Sequence, residues 1–473
     1  MQEDLDNLAR ILLEKGKIAT PKALELIREK NLLDKILELD GTIISEEALK
    51  KLEKEEVEPT KEIEIRRDRE RKISEEYEVD FKIYNAEIKH VERRTSDFVS
   101  YFNSRYFLIQ NMIIKRVNPI SISNVKKTRN GEISIIGMVY DIRTTASGNK
   151  IIELEDPTGK ISAMITKNSD KDIVELSPSI LKDEVLGIKG IYKNNYLFIK
   201  EIIRPEIPVT KEIKKLDYPL SCVFISDLHV GSVDFLEDTF KKFINWLKSK
   251  EAENVKYIFV AGDISDGVGI YLEQEKDLSI KNGRKQYEHA TELLRQIPEH
   301  IKIIVQPGNH DIVGNHEPQN TLEETALSQL PNVFFGTNPC WITLDKLKIL
   351  MYHGYSYDDL IRELPSIRHR GYREPCLPMV EVLKRRHLAP IYGSSLILPE
   401  QRDYLVIEDI PDIFHSGHLH TIGITNYKNI LAINSGTFQG QTKYQEMLGH
   451  IPHPGIFVKV DLDSRKSKMI NLN

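Results

Sequence analysis

Five short polar clusters, each standing directly after an apolar run, constrain this chain more than anything else in it. "VFISDLHVG" closes one run with Asp227 and His229. "YIFVAGDISDGVG" closes another with Asp263, and Asp266 comes three residues later. "IIVQPGNHD" ends in Asn309, His310 and Asp311. "ILMYHG" ends in His353, and "IFHSGHLH" carries His418 and His420. Apolar, β-rich runs of this length read as buried strands, and side chains at strand ends ride on a rigid scaffold. Of the 14 histidines only His90 lies before Tyr218, so an imidazole-based site belongs to the C-terminal half.

Spacing inside the clusters adds to this. Asp227 and His229 are two apart, as are His418 and His420. In extended backbone residues i and i+2 face one side, so each pair is expected to reach toward one centre. Counted as ligands, Asp227, His229, Asp263, Asn309, His353, His418 and His420 supply seven protein groups. If Asp263 bridges, two divalent ions are served equally. A mixed shell of imidazole, carboxylate and amide oxygen suits manganese first, then iron or zinc; magnesium favours all-oxygen shells. Any one cluster alone could be a turn, since Asn, Asp and Gly serve turns for local reasons. Five in series, each after an apolar run, argue for chemistry instead.

The rest of the chain divides by pattern. Residues 1–50 carry apolar residues at helical spacing. Gly16 ends one helix, and Thr20 and Pro21 open another that runs toward Gly41; together they read as a helical protein-contact module. Residues 51–96 are mostly charged and read as a solvated linker. Residues 97–207 open with a helix, "DFVSYFNSRYFLIQNMIIKR", whose apolar stripe reads as core. Five strand-like runs come after it, with room for a short helix near "SDKDIVEL" between the third and fourth. That order predicts a five-stranded β-barrel of the OB type. Residues 218–473 hold the five clusters.

Composition narrows the partners. The formal net charge is -6 and the pI about 6.2. A chain that coats nucleic acid unaided is normally basic, so contact here must go through a local patch, a metal or another subunit. Cys222, Cys340 and Cys376 are far apart, which supports neither a zinc knuckle nor a disulfide framework and fits a reducing cytoplasm. The acidic start lacks a signal-peptide pattern and no run is apolar enough to span a bilayer, so a cytoplasmic protein with no membrane contact is expected.

The motif series, here "DLH", "GDISD", "GNHD", "YHG" and "GHLH", resembles that of the calcineurin-like metallophosphoesterase superfamily. The resemblance implies a multi-domain α/β chain: a β-sandwich flanked by helices, preceded by the barrel and the helical module. It implies that Asp227, His229, Asp263 and His420 hold one metal, and Asp263, Asn309, His353 and His418 the other. His310 is then left as the acid or transition-state donor, and Asp311 is expected to orient it. Longer stretches, "AGDISDGVGIY", "LPMVEVLKRRHLAPIYG" and "NSGTFQGQTKYQEMLGHIPHPG", are similar to the small subunit of the archaeal D-family DNA polymerase, from about Phe98 onward. That implies a 3′→5′ proofreading exonuclease acting on single-stranded or primer-end DNA, with a separate large subunit that polymerises.

Two alternatives stand beside this. One is a non-catalytic scaffold, as in related eukaryotic subunits that have lost the ligands; the presence of all seven here argues against it. The other is a free-standing phosphatase, against which the barrel and N-terminal helices argue. The family pattern expects arginines where Gly314 and Tyr355 stand. Substitutes are expected from "RHRGYR", Arg368 to Arg373, or "KRRH", Lys384 to His387. Asn434 to Met447 is expected to dock the large subunit, with Phe438 or Tyr444 as anchor.

Overall fold

The run that precedes Asp227 is a strand, Ser221–Ile225, buried at every residue. Strands buried on both faces read as continuous apolar runs and pair in parallel. Ser221–Ile225 pairs in parallel with Val255–Ala261, that strand with Lys302–Gln306, and that one with Val333–Phe335. Ile456–Asp461 and Ser467–Asn471 extend the sheet antiparallel on the other side, making six strands. The structure, a computed structural model, describes residues 2–29, 36, 43–44, 72–89, 92–125, 127–128, 131–209, 211–393 and 395–473.

A second six-stranded sheet runs in the order Gly423–Tyr427, Ile430–Asn434, Ile413–Ser416, Leu347–Met351, Cys340–Leu344, Phe81–Asn85. Between the sheets, Phe224, Phe259 and Ile304 share one core with Ile342, Ile349 and Met351. The helix Glu237–Leu247 buries Phe240, Phe243, Ile244 and Leu247, one stripe at helical spacing, against the first sheet. Helices Tyr357–Glu363 and Cys376–Arg385 cover the second sheet through Leu360, Met379 and Leu383. The architecture is a mixed α/β sandwich with helices on both outer faces.

The strand Phe81–Asn85 corrects the reading of 51–96 as linker. It pairs antiparallel with Cys340–Leu344, Ile83 opposite Ile342. Charged neighbours masked a period of two: Phe81 and Ile83 pack on the inter-sheet core while Lys82 and Tyr84 face out. Residues 51–71 and 90–91 of that expected linker lie outside the described residues.

The five expected strands form and close into a barrel, in the order Gly131–Thr144, Lys150–Asp156, Gly159–Ile165, Tyr196–Ile203 and Val185–Lys193. The helix Lys171–Leu176 stands between the third and fourth in sequence. The preceding helix, Thr95–Val117, packs Ile113 and Val117 on Ile136 and Ile203 of the barrel. Nearer its start, Arg105 Nε donates to Asp403 at 2.8 Å, and the Tyr101 hydroxyl donates to the same carboxylate at 2.7 Å.

Two compact units divide the chain, Met1–Arg71 and Lys72–Asn473. In the first, helices Gln2–Glu14 and Pro21–Glu29 form, and Thr20 Oγ1 caps the second by accepting from Ala23 N at 3.4 Å. Leu12, Ala23, Ile27, Ile36 and Ile44 make its core. The expected continuation of the second helix across 30–35 and 37–41 lies outside the described residues. No helix among the described residues is long and apolar enough to cross a membrane.

Candidate metal centre

Five of the seven expected ligands sit at backbone angles that favour glycine. Asp227, His229, Asp263, His418 and His420 have φ of 52, 53, 51, 68 and 55°. This corrects the expectation of extended backbone at the i, i+2 pairs. They converge because both members turn through the left-handed region, not because they lie along a strand. Each such residue costs on the order of 1 kcal/mol or more, and such strain gathers where side chains must be aimed. Two glycines make the room. A Cβ on Gly308 would stand 2.2 Å from Asp263 Oδ1, and one on Gly262, at φ 89°, would stand 2.6 Å from His353 Nδ1.

The seven side chains meet. Asp227, His229 and His420 offer ligand atoms within 4.8 Å of one another, and so do Asp227, Asp263 and His353. Asn309 Oδ1 lies 2.9 Å from His353 Nε2 and 3.1 Å from His418 Nδ1. Outer partners orient the rings. His229 Nδ1 meets Asp266 at 2.8 Å, His353 Nδ1 donates to the Ala261 carbonyl at 2.7 Å, and His418 Nε2 meets Asp358 at 2.9 Å. Those bonds fix the tautomers and leave His229 Nε2, His353 Nε2 and His418 Nδ1 as lone pairs aimed inward.

Around Asn309 those lone pairs face other lone pairs, an arrangement that only a cation or extra protons relieves. The charge around two of the rings, His229 and His353, makes the same demand, whereas burial pulls His420 down to about 4. Burial lowers the proton affinity of His229, but the bond to Asp266 and the charge of Asp263 outweigh it and hold the ring at about 9. Burial likewise opposes charge on His353, and Asp263 reverses it, to about 10. Burial pushes the Asp263 carboxyl up, yet His353, His310 and His229 hold it well below the usual range. The donor set fits divalent metal ions, which would stand where these protons now balance the charge.

His310 lies at the edge of this group. Its backbone N donates to Asp263 Oδ1 at 2.8 Å, and its Nδ1 donates to the Asp266 carbonyl at 2.9 Å, which leaves Nε2 without a protein partner among these bonds. His310 also forms, with His229 and Asp263, a third group compact enough for an ion. Asp311 does not orient His310, and that expectation is corrected. Its carboxylate accepts from the backbone N of Gly308 at 2.9 Å and Ser265 at 3.1 Å, and from the Tyr287 hydroxyl at 2.6 Å. It ties the "GNHD" turn to the "GDISD" loop and so sets Asn309 against Asp263. The backbone of Asp266 orients His310.

A cleft of about 580 Å³ opens over these residues, lined also by Arg368, His369, Tyr372, Arg373, Tyr444 and His450. Of the two basic stretches expected to replace the arginines, only "RHRGYR" reaches it. "KRRH" is structural: Arg385 pairs with Glu381, Arg386 Nε donates to the Ile407 carbonyl at 2.7 Å, and His387 Nε2 meets Asp403 at 2.8 Å. Phe438 is 2% exposed and packs on Phe240 and Phe243, so it cannot anchor a partner. Tyr444 is 66% exposed. Sequence reasoning missed Asp358, Gln439 and Gln445. Gln445 Nε2 meets His420 Nδ1 at 2.9 Å, and Gln439 Nε2 donates to Asp266 at 3.2 Å. Nothing in their spacing marks them; only an acid in the first helical turn after His353 hinted at Asp358.

Known proteins are similar to this chain in sequence. The family of the alpha/epsilon B subunits of DNA polymerase matches residues 222–421. The DNA polymerase II small subunit of Archaeoglobus fulgidus is 44% identical over 372 residues, covering 76% of this chain and 74% of that protein. Its counterpart in Methanothermobacter thermautotrophicus is 40% identical over 399 residues, covering 81% of each. Among solved structures, an archaeal phosphodiesterase aligns with 53% of this chain and 99% of its own at 14% identity, with a TM-score of 0.27.

Proposed function

We propose, for a chain that belongs to the family of DNA polymerase II small subunits, a metal-dependent 3′→5′ DNA exonuclease that works beside a separate large polymerase subunit. The observation that carries the reading is the convergence of three inward imidazole lone pairs on Asp227, Asp263 and Asn309, a group that reaches an arginine-lined cleft through His229, Asp263, Asn309 and His418. Residues 218–473 form the nuclease, 97–207 an OB-type docking domain, 51–96 a connecting segment that includes one sandwich strand, and 1–50 a protein-contact module.

Asp227, His229, Asp263 and His420 would hold one divalent ion, and Asp263, Asn309, His353 and His418 the other, manganese before magnesium, iron or zinc. Such ions neutralise a phosphodiester and lower the pKa of water for in-line attack. The protein's own part is orientation and proton transfer. Asp266, Asp358 and the Ala261 carbonyl fix the imidazoles so that no ring must turn when charge arrives. His310, pinned through Nδ1, can hand a proton from Nε2 to the leaving oxygen. Arg368 and Arg373 grip flanking phosphates, which lets a chain of net charge -6 hold an anionic strand locally.

The test is the purified full chain with manganese on single-stranded oligonucleotides labelled at either end. Mononucleotides released stepwise from the 3′ end, and abolished by EDTA, are expected. Release from the 5′ end would reverse the polarity. Hydrolysis of phosphomonoesters alone would favour a phosphatase, and no hydrolysis of any kind a scaffold.

A further inference from the structure

We infer that Tyr444, with Leu448 beside it, is the platform on which the terminal nucleobase of the cleaved strand stacks. The inference rests on the phosphodiesterase reading above and names the residue that reads the end of its substrate. The helix Lys443–Met447 buries none of its residues. Tyr444, Met447 and Leu448 are 66%, 78% and 64% exposed, a concentration of large apolar surface on one short element. Single exposed apolar residues are ordinary, but a cluster beside a site is not.

Its position is tied to the metal centre. Tyr444 and Leu448 line the same cleft as His310, His418 and His420. The residue after Tyr444 fixes the geometry. Gln445 Oε1 accepts from Thr442 N at 3.1 Å, Gln445 N donates back to Thr442 Oγ1 at 3.2 Å, and Gln445 Nε2 meets His420 Nδ1 at 2.9 Å. The helix start and a ligand imidazole therefore share one amide. Another wall of the cleft carries Arg368 and Arg373, and Tyr372, whose hydroxyl donates to Asp358 at 2.7 Å and whose ring meets His450 edge-on.

Cations, metal ligands and a solvent-facing aromatic ring in one cleft match the parts of a nucleotide: phosphates, the scissile bond and a base. Every base has a π-face, so such a platform binds without regard to sequence. A paired terminal base is already stacked in its duplex, so a frayed or single-stranded end fits better. A protein seated on Tyr444 would cover the metal residues, so the nucleobase is the occupant the position favours.

The test compares two single-stranded oligonucleotides that differ only at the 3′ terminus, one ending in thymidine and one in an abasic residue, with release of the first nucleotide measured on the full chain with manganese. The unmutated chain is expected to favour the base-ended strand about tenfold in kcat/KM, the usual worth of one base–aromatic stack. In Tyr444→Ala that ratio falls toward one, and Tyr444→Phe restores it. A second measurement needs no turnover: 3′-terminal 2-aminopurine, in EDTA, is quenched by the full chain and not by Tyr444→Ala. An unchanged ratio in Tyr444→Ala overturns the inference. So does a Tyr444→Ala chain that keeps the ratio but loses association with the large subunit, which would make this a docking face. If the unmutated chain hydrolyses neither oligonucleotide, the phosphodiesterase reading fails instead, and the platform stands or falls on the quenching alone.

Discussion

Asp263 faces both halves of the metal centre. Its Oδ2 is 3.3 Å from His353 Nε2 and 3.7 Å from His229 Nε2, while Oδ1 is taken by His310 N. Asp263→Ala is expected to lower the metal content of both positions, measured by elemental analysis of the purified chain, and to abolish hydrolysis. Two ions firmly retained would show that Asp263 does not bridge. Gly308→Ala gives an independent check, since its Cβ would collide with Asp263 Oδ1; metal content should fall there too, although no ligand is removed. His310→Ala separates donor from ligand. A fall of about 10²- to 10⁴-fold in rate with both ions kept is the result expected of a proton donor. Metal lost in step with activity would make His310 a ligand, which its closeness to His229 and Asp263 allows. At this scale the seven side chains that converge were legible because each stands just past the end of an apolar run. Gln439, Gln445 and Asp358 were not, because a ring's outer partner comes from wherever the chain passes, and a lone amide or acid in a loop or a short helix looks like any other.

The helix Thr95–Val117 shows how an element is held in place by one buried cluster. Asp403 accepts from Arg105, Tyr101 and His387, all three buried. His387 is satisfied only when neutral: Nε2 donates to Asp403, and Nδ1 accepts from Ala389 N at 3.1 Å. Burial, then the charge of Arg105, pull its proton affinity down to about 4, against the attraction of Asp403. The unfolded chain therefore binds more protons than the folded one between pH 6.5 and 4, and stability falls as pH falls through that window. Asp403 is itself held below the usual carboxylate range, despite burial, by His387 and Arg105, so its contribution is present at neutral pH and is also lost on acidification. About 3 kcal/mol is expected from His387 over the window. Chemical denaturation from about pH 7 to about pH 4 checks this: His387→Gln, which takes up no proton, should flatten the slope, and an unchanged slope would remove His387 from the account. The helix itself was legible within two residues at either end, and the barrel strands in number and order, because the apolar periods there are uninterrupted. The strand Phe81–Asn85 was hidden because its inward residues, Phe81 and Ile83, alternate with polar ones amid a long run of charge.

At the scale of the molecule, a mixed α/β chain with its site at strand ends was readable from apolar runs and the polar clusters that close them. Strand order was not, because Ile456–Asp461 pairs beside Ser221–Ile225 across most of the sandwich sequence and no local pattern encodes that return. The basic stretches were equally opaque: "RHRGYR" lines the cleft and "KRRH" is folded under, a difference made by helix ends and buried acids far away in sequence. The same placement decides what the chain can do alone. Among the described residues, each group of acids and histidines compact enough for metal includes Asp227 or Asp263, so there is one centre and not two. The sequence holds no GxxxxGK[ST] loop to cradle a triphosphate. A centre that hydrolyses phosphodiesters as proposed does not also supply a site for nucleotide addition, so on a primed template with all four deoxynucleotides the chain by itself should shorten the primer and never extend it. Adding the large subunit should restore extension, and the Asp263→Ala chain should support extension in that complex while removing shortening. A gel of end-labelled primer reads both directions at once. Extension by the purified chain alone would mean a second active centre that these side chains do not provide, and loss of extension in the Asp263→Ala complex would mean that the centre serves assembly as well as hydrolysis.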